Sequence, residues 1–313
     1  MQGNEKTDHM PSCEIIKNYP LKERTTIKTG GYTRYFANAS TIAEVQELLF
    51  YARESQLPFL TIGNGSNVLF SDEDFRGVVI CLSGSLREIT FDDDGRTVTA
   101  GAGASLMRLG NEIARRGFIG CAYMAVIPGT VGGAVRINAG TLEEGDITDH
   151  FLSALVLNPA TGVISEHDRD SMEFAYRESV LSRSHKIILQ ATFKLPQQEN
   201  PFIEKAQKIV SDLLAVRKAK QPANQKNFGS TFKRPIPGNP PGWYLERVGM
   251  KGVRVGGAMV AEEHANWILN VDNATSSDVK KLIAIGQKRV FEEYGIHLRR
   301  EVIYLPEDTE EWT

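Results

Sequence analysis

Residues Ala125–Gly140 read AVIPGTVGGAVRINAG, with four glycines (Gly129, Gly132, Gly133, Gly140), one proline, one threonine and one asparagine, and Gly120 just upstream. Glycine admits positive φ and close approach of a bulky group, which a side chain prevents. Successive free N–H groups in such a run form concavities that bind anions. The stretch is therefore either a loop that cradles phosphate or a chain of tight turns without a ligand. Two further glycine-bearing turns, Thr29–Gly31 and Gly63–Asn67 (GNGSN), stand elsewhere in the chain. Each alone could serve only turn chemistry. All three converging on one long ligand would suit a dinucleotide held by main-chain N–H groups, with Ser66 and Asn67 adding side-chain bonds to phosphate or ribose.

Familiar phosphate-binding schemes do not account for these turns. The chain has no G-x-x-x-x-G-K-[ST], so a P-loop is excluded. Gly101-x-Gly103 lies between a strand-like and a helix-like stretch, but Leu106 stands where a small residue should let helix and strand approach. Gly63-x-Gly65 fails in the same way at Val68.

Composition narrows the class. The 313 residues carry 36 basic and 39 acidic side chains, a net charge of −3, and 41% hydrophobic residues. That balance gives no footprint for nucleic acid or anionic lipid. No apolar run reaches membrane-span length, and the start, MQGNEKTDHM, has no secretory h-region. Cys13, Cys81 and Cys121 lack metal-like spacing. A cytoplasmic protein without a metal site is expected, and the sequons at Asn38 and Asn273 are read as chance.

Periodicity divides the chain. Residues 1–18 are polar and read as a flexible lead-in. Thr41-x-x-Glu44 reads as a capping box opening a helix through Val45, Leu48, Leu49 and Ala52. Leu57–Ile62 and Val78–Leu82 read as buried strands, closing a first lobe, 19–84. In a second lobe, 85–200, Thr97–Ala100, Ala154–Asn158 and Ile187–Phe193 read as strands, and Leu106, Leu109 and Ile113 place a helix stopped by Gly117. Leu195–Pro201 reads as a linker. The third part, 201–306, holds a helix through Ile203–Leu214, another from Val279 to Val290 closed by Gly295, and a last strand, Glu301–Leu305, free to pack back on the second lobe; 307–313 form a tail. Strands and helices mix without regular βαβ alternation, so the class is α+β.

TGGYTRYF (29–36), IGNGSNVL (62–69), IPGTVGGAVRINAG (127–140), YRES (176–179), NFGSTFKRP (227–235), GWYLERVGMKGVRVGGAMVAEEHANWILN (242–270) and LRREVIYL (298–305) together resemble, in order, the motifs of the UDP-N-acetylenolpyruvoylglucosamine reductase (MurB) family. The resemblance spans about Thr25 to Leu305. It implies a two-lobed FAD-binding domain of the vanillyl-alcohol-oxidase/PCMH flavoprotein type followed by a C-terminal α+β substrate-binding lobe. It also implies non-covalent FAD, NADPH as reductant, an enolpyruvyl sugar nucleotide as substrate and a monomer. By the same resemblance Gly63, Asn64, Gly65, Ser66, Asn67, Pro128, Gly129, Thr130, Gly132, Gly133 and Ala134 bind the cofactor. Ser230 is the proton donor to carbon, and Arg177 and Glu301 act on the substrate carboxylate. Arg217, Lys220 and Arg234 contact substrate, Lys220 also serving as a cation near the serine.

Each residue also has a plainer reading. Arg177 could be a surface salt bridge, Glu301 could pair with Arg299 or Arg300, Ser230 could be a turn residue, and Arg217 and Arg234 could be solvated charges. No G-x-S-x-G surrounds Ser230, so a hydrolase nucleophile is not indicated. The chain departs from the family after NAG: residues 141–146 are TLEEGD, whose Glu143, Glu144 and Asp146 would repel phosphate if they faced it. Position 130 is Thr where serine is frequent, and position 234 is Arg where asparagine is common. The chain is too short for the family's tyrosine-bearing inserted loop, which points to the shorter subtype, type II. Two alternatives stay open at this stage. One is a flavin oxidase of the same superfamily acting on another substrate, in which a His or Cys often tethers the flavin, although His150 and Cys121 near the loop sit in no attachment motif; the other is a non-catalytic nucleotide-sugar-binding paralogue.

Overall fold

Two sheets flank the glycine loops. In the structure, a computed structural model that describes residues 10–93, 95–141, 144–195, 202–222 and 224–312, the first sheet has four strands. Their order is Ile15–Pro20, Tyr32–Ala39, Phe75–Leu82, Phe59–Ile62, the outer pair antiparallel and the others parallel. Helix α1 (Ile42–Glu54) lays Val45, Leu48, Leu49 and Ala52 on this sheet. The Thr41 hydroxyl caps it by accepting from the Glu44 N–H at 3.2 Å. The Glu44 carboxylate returns the bond to Ser40 N–H rather than to Thr41, one residue off the expected box.

The second sheet is antiparallel, in the order Ile164–Asp168, Phe151–Leu157, Ile187–Lys194, Thr97–Gly101, Ile89–Phe91. Helices α2 (Leu106–Arg115) and α3 (Val131–Arg136) cover it. Residues of both sheets share one core: Ala37, Val78 and Ile80 pack in the same cluster as Val98, Leu109 and Phe193. Helix α4 (Ile203–Lys220) follows, then α5 (Pro241–Arg247), a three-stranded antiparallel sheet (Arg254–Val255, Ala258–Val260, Ile268–Asn270) and α6 (Ser276–Tyr294). These last elements enclose a separate core around Phe232, Leu245, Val260, Leu282 and Val290. Helix α6 starts at a Thr275/Asp278 capping box and stops at Gly295 with φ 66°. No helix among the described residues is long and apolar enough to cross a membrane.

The structure corrects three readings. Residues 15–18 belong to a strand rather than a lead-in: IIKNYP pairs with Tyr32–Ala37 at the sheet edge. Its mostly solvent-facing side chains leave no apolar pattern to read. The last strand, Ile303–Leu305, pairs in parallel with Val68–Phe70 of the first lobe, not with the second sheet. Leu305 completes an apolar layer there with Phe36, Leu60, Phe70 and Val79. Helix α4 ends at Lys220 as expected but packs on the second lobe and not in the core of the third part, setting Ala206 and Val210 against Ala114, Ala122 and Ala125. Residues 1–9, most of the expected linker (196–201), Glu143 and the last residue of the tail lie outside the described residues.

Gly110, inside α2, faces the chain at Met124–Ala125, where a Cβ would fall 2.2 Å from the Ala125 nitrogen. Helix propensity alone favours alanine by about 1 kcal/mol. Overpacking costs about 1–3 kcal/mol and wins here. Gly110→Ala is expected to lower the melting temperature; an increase would contradict the packing.

Candidate active site

The turn Gly63–Asn67 follows the strand Phe59–Ile62 and abuts Pro128–Gly133. A Cβ on Gly63 would lie 2.4 Å from Thr130 Oγ1, and one on Gly65 (φ 64°) would lie 2.0 Å from the Arg24 carbonyl. Only glycine permits either approach. Asn64 Nδ2 donates to the Gly129 carbonyl at 3.3 Å and Ser66 Oγ to the Pro128 carbonyl at 3.1 Å, binding one loop to the other. Thr130 caps α3 by accepting from Gly133 N–H. The N–H groups of Asn64, Gly65, Ser66, Gly129 and Thr130 find no acceptor among the described residues. Two loops thus present a set of unclaimed donors to one space, as an anion requires.

That space is a cavity of about 1020 Å³. The residues expected to bind cofactor or substrate or to act in catalysis line it: Gly63–Asn67, Pro128–Thr130, Gly132–Ala134, Arg177, Arg217, Lys220, Ser230, Arg234 and Glu301. The structure changes two details. The Ser66 and Asn67 side chains also bond protein carbonyls, Asn67 Nδ2 reaching Glu301 O at 3.2 Å. Thr29–Gly31 is not part of the cavity lining. Its glycines serve packing, a Cβ on Gly31 meeting the Asp72 carbonyl at 2.6 Å and one on Gly30 meeting Phe70 Cβ at 2.9 Å.

Three distant segments meet beside the first loop. Thr26 accepts no substitute easily: its N–H donates to Gly65 O, and its hydroxyl to Asn227 O at 2.6 Å. Gly229 (φ 81°) then turns the chain into Ser230. Residues 231–233 run antiparallel to 299–301, with Glu301 N–H donating to Thr231 O and Lys233 N–H to Arg299 O, each at 2.9 Å. This pairing sets Ser230 and Glu301 on neighbouring chains at the same wall.

Glu301 partners neither neighbouring arginine. Arg300 instead forks onto Asp308. Glu301 Oε1 lies 3.4 Å from Arg177 Nε, with the two side chains only 17% and 12% exposed. Burial pushes the Glu301 carboxyl above its ordinary range, while Arg177 and Lys233 pull the other way. Arg177 is further fixed by the Asn138 carbonyl at 3.3 Å and by the Gly140 carbonyl, and its guanidinium lies over the Tyr176 ring at 5.1 Å. Its backbone sits at φ 56°, a costly conformation for a non-glycine residue. Lys233 Nζ holds that backbone by donating to the Arg177 carbonyl and to Glu178.

The basic candidates are partly committed: Arg217 donates to Val126 O and Arg234 Nε to Gly238 O. In the TLEEGD departure, Asp146 accepts from Asn138 Nδ2 and Thr148 N–H and is not part of the lining, whereas Glu144 is. Cys121 and His150 lie outside the lining. The Cys121 thiol is pushed up to about 12 by burial, and His150 Nε2 bonds Gly120 O. Neither is placed to tether a ligand in the cavity. Among the described residues no cluster of three His, Cys, Asp or Glu could hold a metal.

Sequence reasoning missed Thr26, Tyr176, Arg136, His264 and Trp267, all on the lining. Tyr176, Trp267 and His264 stand inside the quoted motifs, so position in a motif was the available signal. Burial pushes the His264 imidazole below its ordinary value, and its Nδ1 accepts from Asn266 N–H at 3.2 Å.

Residues 33–167 match a family described as an FAD binding domain, and residues 221–305 one described as the C-terminal domain of UDP-N-acetylenolpyruvoylglucosamine reductase. A UDP-N-acetylenolpyruvoylglucosamine reductase of Caldicellulosiruptor bescii is 37% identical over 294 residues, covering 94% of this chain and 91% of that protein. The protein of that name from Enterococcus faecalis is 38% identical over 294 residues, covering 94% and 95%. The crystal structure of UDP-N-acetylenolpyruvylglucosamine reductase from Thermus caldophilus superposes with a TM-score of 0.76 at 31% identity, over 94% of this chain and 99% of that one. The cavity suits a flavin dinucleotide: the free amides of the two loops match a diphosphate.

The position of Glu301 carries a pH signature. A carboxyl whose folded pKa is raised stabilises the fold fully below the ordinary carboxylate range, and that contribution is lost as pH rises through the raised value. Glu301→Gln fixes a neutral side chain. Its melting temperature relative to wild type is expected to climb as pH rises above the ordinary carboxylate range, about 4; a constant difference would contradict the raised carboxyl.

Proposed function

The chain belongs to the UDP-N-acetylenolpyruvoylglucosamine reductase family, and on that premise we propose how its cavity works. The protein is an FAD-containing oxidoreductase with UDP-N-acetylmuramate dehydrogenase activity. It reduces the enolpyruvyl ether of UDP-N-acetylglucosamine to UDP-N-acetylmuramate, with NADPH as reductant. The product enters peptidoglycan synthesis and so supports cell-wall biogenesis, cell shape and division. Residues 63–67 and 128–134 would hold the FAD, which when bound supplies hydride chemistry.

The observation that carries the assignment of residues is the Arg177–Glu301 pair on the lining of the cavity that Ser230 also lines, one residue from the Thr231–Glu301 backbone bond. Reduction of the enol ether adds hydride and a proton across a carbon–carbon double bond, and negative charge develops beside the substrate carboxylate. Arg177 is permanently charged and presents a planar fork to that carboxylate. Its bonds to the Asn138 and Gly140 carbonyls hold the fork in place before substrate arrives. Glu301, biased by burial towards its protonated form, donates a hydrogen bond to the oxygen where charge gathers. The Ser230 hydroxyl gives its proton to the carbon next to the carboxylate, and Lys220 offsets the charge left on the serine oxygen. Arg217 and Arg234 take the diphosphate of the sugar nucleotide. In this reading 19–84 and 85–200 serve the cofactor and 201–306 the substrate, and the enzyme acts in the cytoplasm as a monomer.

Two half-reactions separate these roles. Under anaerobic conditions, Ser230→Ala is expected to leave NADPH bleaching of the bound flavin within about twofold, while reoxidation by the enolpyruvyl substrate slows by roughly 10²–10⁴-fold, the range of a general acid. Equal loss in both halves would contradict the proton-donor assignment.

A further inference from the structure

Beyond the last strand the chain turns back over the cavity. Pro306–Thr309 makes one short helical turn, and Thr309 is buried, with its hydroxyl donating to Pro306 O at 2.6 Å. Asp308 fastens this turn: Arg300 forks onto both of its oxygens at 3.0 Å, and Tyr304 N–H donates to it at 2.8 Å. Lys280 of α6 pairs with Glu307. The Thr309 backbone also shares a hydrogen bond with His185, and Trp312 N–H closes the turn onto Thr309 O at 3.2 Å. These bonds deliver Trp312 to the cavity lining, where its ring centroid lies 5.8 Å from that of His185.

The indole has a second fixed neighbour. Arg136, half-buried at the end of α3, spends its N–H groups on the carbonyls of Leu181, Ser184 and Lys186. Its guanidinium carbon lies 5.4 Å from the Trp312 ring centroid. His185 in turn stands 5.9 Å from the Phe59 ring. Phe59 begins the strand that ends at Ile62 and leads into Gly63, so four residues of strand, about 13 Å at the usual rise, separate this region from the free amides.

A flavin dinucleotide carries a ring system on each side of its diphosphate. With the diphosphate on the glycine loops and the reacting ring beside Ser230 and Glu301, the second ring must lie in the remaining part of the cavity. That part is walled by Phe59, Leu60, Ile187 and Ile188 and edged by His185 and Trp312. We propose that the C-terminal tail, Glu307–Trp312, completes the cofactor site, the Trp312 indole forming the wall against which the adenine ring of the bound dinucleotide packs. This rests on the assignment of FAD to the cavity.

Equilibrium titration of the full-length protein, freed of bound flavin, with FAD and with FMN separates the possibilities, because FMN lacks the adenine. Trp312→Ala is expected to bind FAD roughly tenfold more weakly, the order of one aromatic–base stack, with FMN affinity unchanged. Trp312→Phe, which keeps a ring, is expected to stay within about threefold of wild type for FAD. Unchanged FAD affinity in Trp312→Ala, or equal losses for FAD and FMN, would overturn the proposal. Wild-type protein that binds neither flavin would overturn the cofactor assignment, and the role of Trp312 with it.

Discussion

The contact between two glycine turns governs this molecule. Gly63–Asn67 and Pro128–Gly133 touch so closely that a single methyl at Gly63 would fall 2.4 Å from Thr130 Oγ1. Side-chain bonds from Asn64 and Ser66 to carbonyls of the second turn hold the approach. Each such bond contributes only about 1 kcal/mol net. Their larger effect is geometric, because they keep the backbone amides of both turns unpaired and aimed at one space. The first turn also carries the rest of the site: Gly65 receives Thr26, which is tied to Asn227, and Asn67 donates its side-chain amide to the Glu301 carbonyl while its own carbonyl accepts from Ile303 N–H. Cofactor cradle, serine segment and carboxylate segment are therefore positioned from five residues.

The chemistry at the wall depends on burial working against pairing. An arginine and a glutamate this enclosed cost desolvation that their attraction offsets only in part. At Glu301 burial outweighs the pull of Arg177 and Lys233, which favours a neutral acid beside a permanent cation. That combination suits a site where negative charge appears during reaction and is absent before it. The strained backbone of Arg177 fits the same economy: three carbonyl and amine contacts hold a conformation that the residue would otherwise leave.

Much of this was legible in the sequence where local chemistry decides the outcome. The cap at Thr41, the helical spacing Val45–Leu48–Leu49–Ala52 and the stop at Gly295 depend on neighbours a few residues away. The loops at 63–67 and 128–133 could be read because glycine at such density has few structural purposes. Long-range partners could not be read. Nothing local tells Leu305 to pair beside Phe70, or Glu301 to choose Arg177 over the adjacent Arg300, whose place is taken by Asp308. Thr29–Gly31 was misread for the same reason, since its glycines answer to Asp72 and Phe70 and not to a ligand. The acid-rich departure at 141–146 also resolves through tertiary contacts, Asp146 being absorbed by Asn138 and Thr148.

The most direct test is an experimental structure of the full chain with FAD bound. The account predicts diphosphate oxygens within about 3 Å of the amides of Asn64, Gly65, Ser66, Gly129 and Thr130, hydrogen-bonding distance for an N–H donor. A flavin whose phosphates are held by side chains elsewhere, with these amides facing solvent, would contradict it.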